Sequence, residues 1–177
     1  VIVGGMANTI LKHIGKNVGN SICEINSGPL VKEIFENSKK YNCKIIIPND
    51  VVVSKSLNGS GIEKDTDAVS DNEMILDIGP KTISSIEKII NSSKTILWNG
   101  PAGYFENTNF QNGTKKILDA ISRRSINEKI FSVAGGGETV AAINKFKKSK
   151  SFTFISTAGG AFLEYLEGKT LPGIKAL

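Results

Sequence analysis

FSVAGGGETVAAI, residues 131–143, is a short apolar run that breaks into glycines and then resumes with helical spacing. A buried strand that ends in a Gly-rich turn and enters a helix leaves unpaired backbone N–H groups at the helix start, and these can hold an anion. The same pattern recurs in VIVGGMANTI (1–10), TILWNGPAGYFE (95–106) and FTFISTAGGAFLEYL (152–166). In an open parallel sheet all such turns lie at the carboxyl ends of the strands and face one crevice. Glycine also serves ordinary turns. Recurrence, with Asn99, Glu106, Glu138 and Thr139 placed in or beside the turns, points instead to a phosphate-bearing ligand.

The segments around these turns alternate between strand and helix. Val1–Val3 read as a buried strand with no preceding turn, so we expect sequence upstream of Val1. Met6, Ile10, Leu11 and Ile14 fall at helical spacing up to Gly15, and Leu30, Val31, Ile34 and Phe35 mark a second helix with Ser27 as N-cap and Pro29 in its first turn. Lys44–Ile47 and Val51–Val53 read as strand interrupted by Pro48, and residues 54–73 as a polar excursion before the strand MILDI. Thr82 is expected to cap a helix with Ile83, Ile86, Ile89 and Ile90 on one face, followed by the strand TILW. A helix through Ile117, Leu118 and Ile121, the strand IFSVA, the helix TVAAINKF, the strand FTFIS and the helix AFLEYLE, closed by Gly168, complete the series. Continuous apolar strands alternating with helices predict an α/β fold: an open, mostly parallel sheet with helices on both faces, a Rossmann-like three-layer arrangement.

With 177 residues, 40% hydrophobic and 22% charged, the chain suits one packed core, and residues 1–177 are expected to form a single domain. No apolar stretch reaches the length of a membrane span, and the start lacks a basic leader, so a soluble, cytoplasmic protein is expected. The net charge of +5 comes from scattered lysines with Arg123 and Arg124 adjacent. No basic run is interleaved with aromatics, which excludes a nucleic-acid groove and leaves a surface favourable to small phosphate-rich ligands. Cys23 and Cys43 have no metal or redox spacing, and His13 sits where a helix-end histidine carries no chemistry.

There is no GxxxxGK[ST], and Gly135–Val140 lacks the last glycine of GxGxxG. Asp50 lies too far from Gly5 to be the ribose acid of a dinucleotide fold, which leaves an NAD-dependent oxidoreductase as the weaker alternative, beside a free-standing nucleotide-binding module. VIVGGMANTILK, PNDVVV, MILDIGP, KTILWNGPAGYFE, AGGGETVAAI, ISTAGGAFLEYLEGK and LPGIKAL resemble, in order, the blocks of the phosphoglycerate kinase family. The resemblance covers essentially the whole chain and is to the carboxyl-terminal, nucleotide-binding lobe. The amino-terminal lobe that binds 3-phosphoglycerate has no counterpart here.

That resemblance implies site residues. Gly4 and Gly5 would let adenine lie against the backbone, and Leu76 would pack on the base. Asn99 and Pro101 would shape the nucleotide pocket, and Glu106 would accept hydrogen bonds from the ribose hydroxyls. Backbone N–H groups of Gly136, Gly137 and Thr139, with the Thr139 hydroxyl, would hold phosphates of ATP or ADP. Glu138 stands where the family usually has Asp. It would bind the Mg²⁺ carried by the nucleotide, reaching about 1.5 Å farther than Asp would. Gly159 and Gly160 in STAGGA, where Ala158 replaces a common glycine, would face the phosphoryl group in flight and act as the catalytic backbone.

The implied reaction interconverts 1,3-bisphosphoglycerate plus ADP with 3-phosphoglycerate plus ATP, a glycolytic step. The family is usually monomeric, and its phosphate-contacting lysines lie upstream of Val1. The 177 residues alone are therefore expected to bind nucleotide and to catalyse nothing, with the phosphoglycerates binding only when the second lobe is present.

Overall fold

The computed structural model describes residues 1–128 and 130–176; Lys129, and Leu177 at the end of the LPGIKAL block, lie outside the described residues. The chain divides into two compact units, Val1–Glu87 with Ala102–Lys116, and Lys88–Pro101 with Ile117–Leu177.

The first unit holds α1 (Gly4–His13), α2 (Gly28–Lys40), β1 (Asp50–Ser54), β2 (Ile62–Asp65), β3 (Met74–Ile78) and the first turns of α3 (Pro80–Ser92) and α4 (Asn112–Asn127). Its sheet is antiparallel in the order β2-β1-β3. The central strand DVVVS is apolar and its Val51 and Val53 are fully buried, whereas the edge strand IEKD is polar and mostly exposed. Charges on an edge discourage further strand pairing, and Lys64 there pairs with the buried Glu73 at 2.9 Å. Ala7, Ile10 and Leu11 of α1, Val69, Ile78 and Phe110 are also buried in this unit.

The second unit holds the rest of α3 and α4, then β4 (Thr95–Asn99), β5 (Phe131–Gly135), α5 (Gly137–Lys145), β6 (Phe154–Ile155), α6 (Gly160–Leu166) and α7 (Pro172–Lys175). Here the sheet is parallel, in the order β4-β5-β6, and helices flank it, as the alternating pattern predicts. Trp98 and Ala134 are buried on one face, with Trp98 stacked on Phe152 at 6.1 Å between ring centroids. On the other face Leu97, Val133 and Phe154 share a register row, and Leu97 and Phe154 are 49% and 55% exposed. No helix among the described residues is long and apolar enough to cross a membrane.

Four points differ from the sequence reading. Val1–Val3 and Lys44–Ile47 are not strands; the two segments are joined by the Ile2 N–H, which donates to the Ile46 carbonyl at 2.8 Å. The excursion 54–73 contains β2, which owes its place to pairing with β1 rather than to any apolar pattern of its own. Ser27 sits at the N-cap of α2 without a side-chain cap bond, and its hydroxyl donates instead to the Glu24 carbonyl.

Candidate functional site

In the second unit the parallel strands bring their carboxyl ends to one edge of the sheet, and each is followed by a glycine in the left-handed region: Gly100 after β4, Gly136 after β5 and Gly159 before α6. Gly136, at φ 91°, is the N-cap of α5, and no side chain caps that helix. A Cβ at Gly136 would lie 2.7 Å from Oδ1 of Asn99. That oxygen is buried and has no hydrogen-bond partner, which leaves an acceptor beside the open helix start.

Gly137, next in the turn, is exposed and would meet nothing within 4 Å if it carried a Cβ, so the fold itself does not require glycine there. Gly160, the first residue of α6, is likewise in open space, and Gly159 is its N-cap with no side-chain cap. Thr139 is fully buried and its hydroxyl accepts the Gly100 N–H at 2.6 Å, so its oxygen ties the β4 turn to α5. Pro101 follows Gly100 directly and is half-buried. Glu138 is exposed in the first turn of α5. No group of three or more His, Cys, Asp or Glu among the described residues forms a metal cage. A lone carboxylate beside free N–H groups fits Mg²⁺ that arrives on phosphate oxygens, an ion that keeps most of its shell from substrate and water.

The first unit carries the residues expected to meet the base and ribose. Gly4, at φ 64°, and the exposed Gly5 open α1, and a Cβ at Gly5 would make only ordinary 3.8 Å contacts with Ile22. Leu76 lies in β3 with 9% of its surface exposed, so most of the side chain is committed to the core; its carbonyl accepts the Tyr104 N–H at 2.7 Å. Glu106 is exposed on the loop between Tyr104 and Gln111.

Two buried carboxylates hold helix starts, a role the sequence reading did not assign to them. Asp50 accepts the Lys81 N–H at 2.8 Å, the Thr82 N–H at 2.7 Å and the Thr82 hydroxyl at 2.6 Å. Helix α3 thus begins at Pro80 and is capped from β1, while Thr82 lies inside its first turn. Asp77, 1% exposed in β3, accepts N–H groups from Gly113 at 2.8 Å and Ile78 at 2.9 Å, and another from Asn112. Burial pushes its carboxyl up to about 7 against the pull of these donors. Glu73 goes the other way: hydrogen bonds from Lys64 and the Ser70 backbone hold it below the usual carboxylate range. An acid inside the otherwise apolar MILDI was the available signal for Asp77, since an ionisable group within a buried strand needs partners.

A family model for phosphoglycerate kinase matches residues 1–169. The chain is 45% identical over 179 residues to the phosphoglycerate kinase of Xanthobacter autotrophicus and 47% identical over 180 residues to that of Zymomonas mobilis, covering all of this chain and 45% of each relative. Among solved structures, phosphoglycerate kinase from Coxiella burnetii superposes with a TM-score of 0.91 at 40% identity, over 98% of this chain and 44% of that one. The enzyme from Pyrococcus horikoshii gives a TM-score of 0.76 at 31% identity, over 97% of this chain and 42% of that one. The chain therefore spans less than half the length of the relatives it matches, and it belongs to the phosphoglycerate kinase family.

Proposed function

We propose that this chain is the nucleotide-binding part of a phosphoglycerate kinase, taking ATP or ADP with Mg²⁺ in the transfer of a phosphoryl group between 1,3-bisphosphoglycerate and ADP. The observation that carries the reading is the start of α5: a helix with no side-chain cap, whose N-cap is Gly136 at φ 91° and whose first residue, Gly137, stands in open space. Free N–H groups and the helix dipole favour a phosphate there, and phosphoryl transfer relies on such positioning and charge neutralisation more than on covalent chemistry. Gly159 and Gly160 would meet the transferring group with backbone N–H groups, and Glu138 would hold Mg²⁺, which neutralises phosphate charge when bound.

In the first unit Gly4, Gly5 and Leu76 take the base and Glu106 the ribose hydroxyls. Residues 1–177 act as one nucleotide-binding lobe that by itself binds nucleotide without turnover, because the phosphoglycerates need residues with no counterpart here. Cytoplasmic location and a monomeric state accompany this reading. Calorimetric titration with MgADP and with NAD tests it: weak binding of MgADP and none of NAD is expected, and binding of NAD alone would overturn it. Glu138→Gln keeps size and removes charge, so it should weaken MgADP binding while leaving Mg²⁺-free ADP unchanged; equal loss for both would remove Glu138 from the metal.

A further inference from the structure

We propose that Asp77 is a positioning residue for nucleotide recognition, fixing both ends of the loop that presents Glu106 so that its carboxylate meets the ribose hydroxyls. The inference rests on the nucleotide reading above and adds a residue to it.

The loop leaves β4 through Pro101 and re-enters regular structure at α4. Its far end is held by Asp77 through the Gly113 N–H at 2.8 Å and the Asn112 N–H. Its near end rests on the same residue: a Cβ at Gly103 would come within 2.7 Å of the Asp77 Cα and Oδ1, and the adjoining Tyr104 N–H bonds the Leu76 carbonyl. The ends are also joined to each other, because the Ala102 N–H donates to the buried Thr114 hydroxyl at 3.0 Å. Between them Phe105 and Phe110 are buried, and Asn107 and Asn109 donate to the Leu57 and Gly59 carbonyls at 2.8 and 3.0 Å. Glu106 is thus an exposed acid between a buried aromatic and a tethered asparagine.

A helix cap alone does not need this arrangement. Serine or asparagine caps a helix without burying a charge, and among the described residues no cation pairs with Asp77. Once ionised, the carboxyl supplies two acceptor oxygens and no donor, which lets one side chain take N–H groups from its own strand and from the loop's far end at once. A preorganised Glu106 binds the hydroxyls without first ordering its loop, and that saving appears only for ligands that have the hydroxyls.

The test compares MgADP with the Mg²⁺ complex of 2′,3′-dideoxy-ADP by calorimetry, using the full chain and its variants. The unaltered chain should prefer ADP by about tenfold or more, the scale of hydrogen bonds to a charged group. Glu106→Ala should bring that ratio close to one. Asp77→Asn, which turns one acceptor into a donor facing an N–H, should do the same with dideoxy-ADP affinity unchanged, and the double variant should lose nothing more. Gly103→Ala presses on Asp77 from the loop side and is expected to lower the ratio by the same route.

Equal loss of both ligands in Asp77→Asn, or a retained preference, would make Asp77 structural only and overturn the proposal. If neither variant folds, hydrogen exchange on the unaltered chain decides: the Gly113 amide should be strongly protected, and free exchange there overturns the clamp. If the unaltered chain binds no MgADP, or binds both nucleotides alike, the nucleotide reading itself fails and the proposal goes with it. That result is distinct from a failure seen only in the variants.

Discussion

Two helix starts in the first unit are handled in the opposite way to two in the second. In the first, α3 and α4 receive carboxylates from neighbouring strands: Asp50 from 31 residues away and Asp77 from 36 residues away bond the first N–H groups of the helices. In the second, α5 and α6 have Gly136 and Gly159 as N-caps, and neither has a side-chain cap. Every helix offers the same unpaired donors at its start, so the difference lies in who supplies the acceptor. Where the chain supplies it, the helix start contributes to stability and is closed to ligands. Where glycine withholds it, stability is given up locally and an anion from outside can complete the turn.

The pH dependence of stability gives the largest test of this contrast. In the folded state Asp77 takes up its proton near 7, and in the unfolded chain near 3.8, so between these values the folded state binds more protons and stability falls as pH rises. The fall should total about 4 kcal/mol, reaching at most about 1.4 kcal/mol per pH unit, and should level off above pH 7. Urea unfolding from pH 5 to pH 8 should show this slope in the unaltered chain and its loss in Asp77→Asn. Glu73, held low by Lys64, has the opposite sign: its contribution is lost as pH falls, so it cannot produce this slope. A slope that survives in Asp77→Asn means that the buried acid of this unit is not the titrating group.

Asp50→Ala is expected to destabilise by about 3 kcal/mol, because it strands two backbone donors and the Thr82 hydroxyl in a buried site. Glu138→Ala at the exposed start of α5 should change stability by no more than about 0.5 kcal/mol. Similar losses at the two positions would erase the distinction drawn above.

Gly136→Ala should cost about 1–2 kcal/mol, since alanine at φ 91° is strained and its Cβ runs into Asn99 Oδ1. Gly137→Ala sharpens the point with the smallest effect on folding. Nothing crowds that position, and alanine favours the helix, so stability should hold or rise by a few tenths of a kcal/mol. MgADP affinity should nevertheless drop, because the added methyl stands where a phosphate approaches the backbone. Unchanged affinity in Gly137→Ala would argue that no ligand comes close to that turn.

Much of this was legible in the residues. The apolar runs TILW and FSVA, each leading into a glycine turn, forecast parallel strands with open turns at their carboxyl ends, and the structure has them in register from Thr95 opposite Phe131 to Asn99 opposite Gly135. Helical spacing of Ile83, Ile86, Ile89 and Ile90 forecast one face of α3, of which Ile83, Ile86 and Ile90 are buried and Ile89 is half-buried. Gly168 closes α6 at φ 79° as its position after AFLEYLE implied.

The sequence by itself determined which segments are helix, that the apolar runs from Val51 onward are strand, and where the turns stay bare, because periodicity and glycine act within a few residues of themselves. Only the tertiary structure decided three other things. The polar IEKD became a strand, since an edge strand takes its conformation from the partner it bonds rather than from buried side chains. The apolar stretches at Val1–Val3 and Lys44–Ile47 formed no ladder, although a bond from Ile2 to Ile46 joins them. Asp50 and Asp77 became caps for helices more than 30 residues downstream, because a hydrogen bond needs its atoms about 3 Å apart in space and imposes no limit on their separation along the chain.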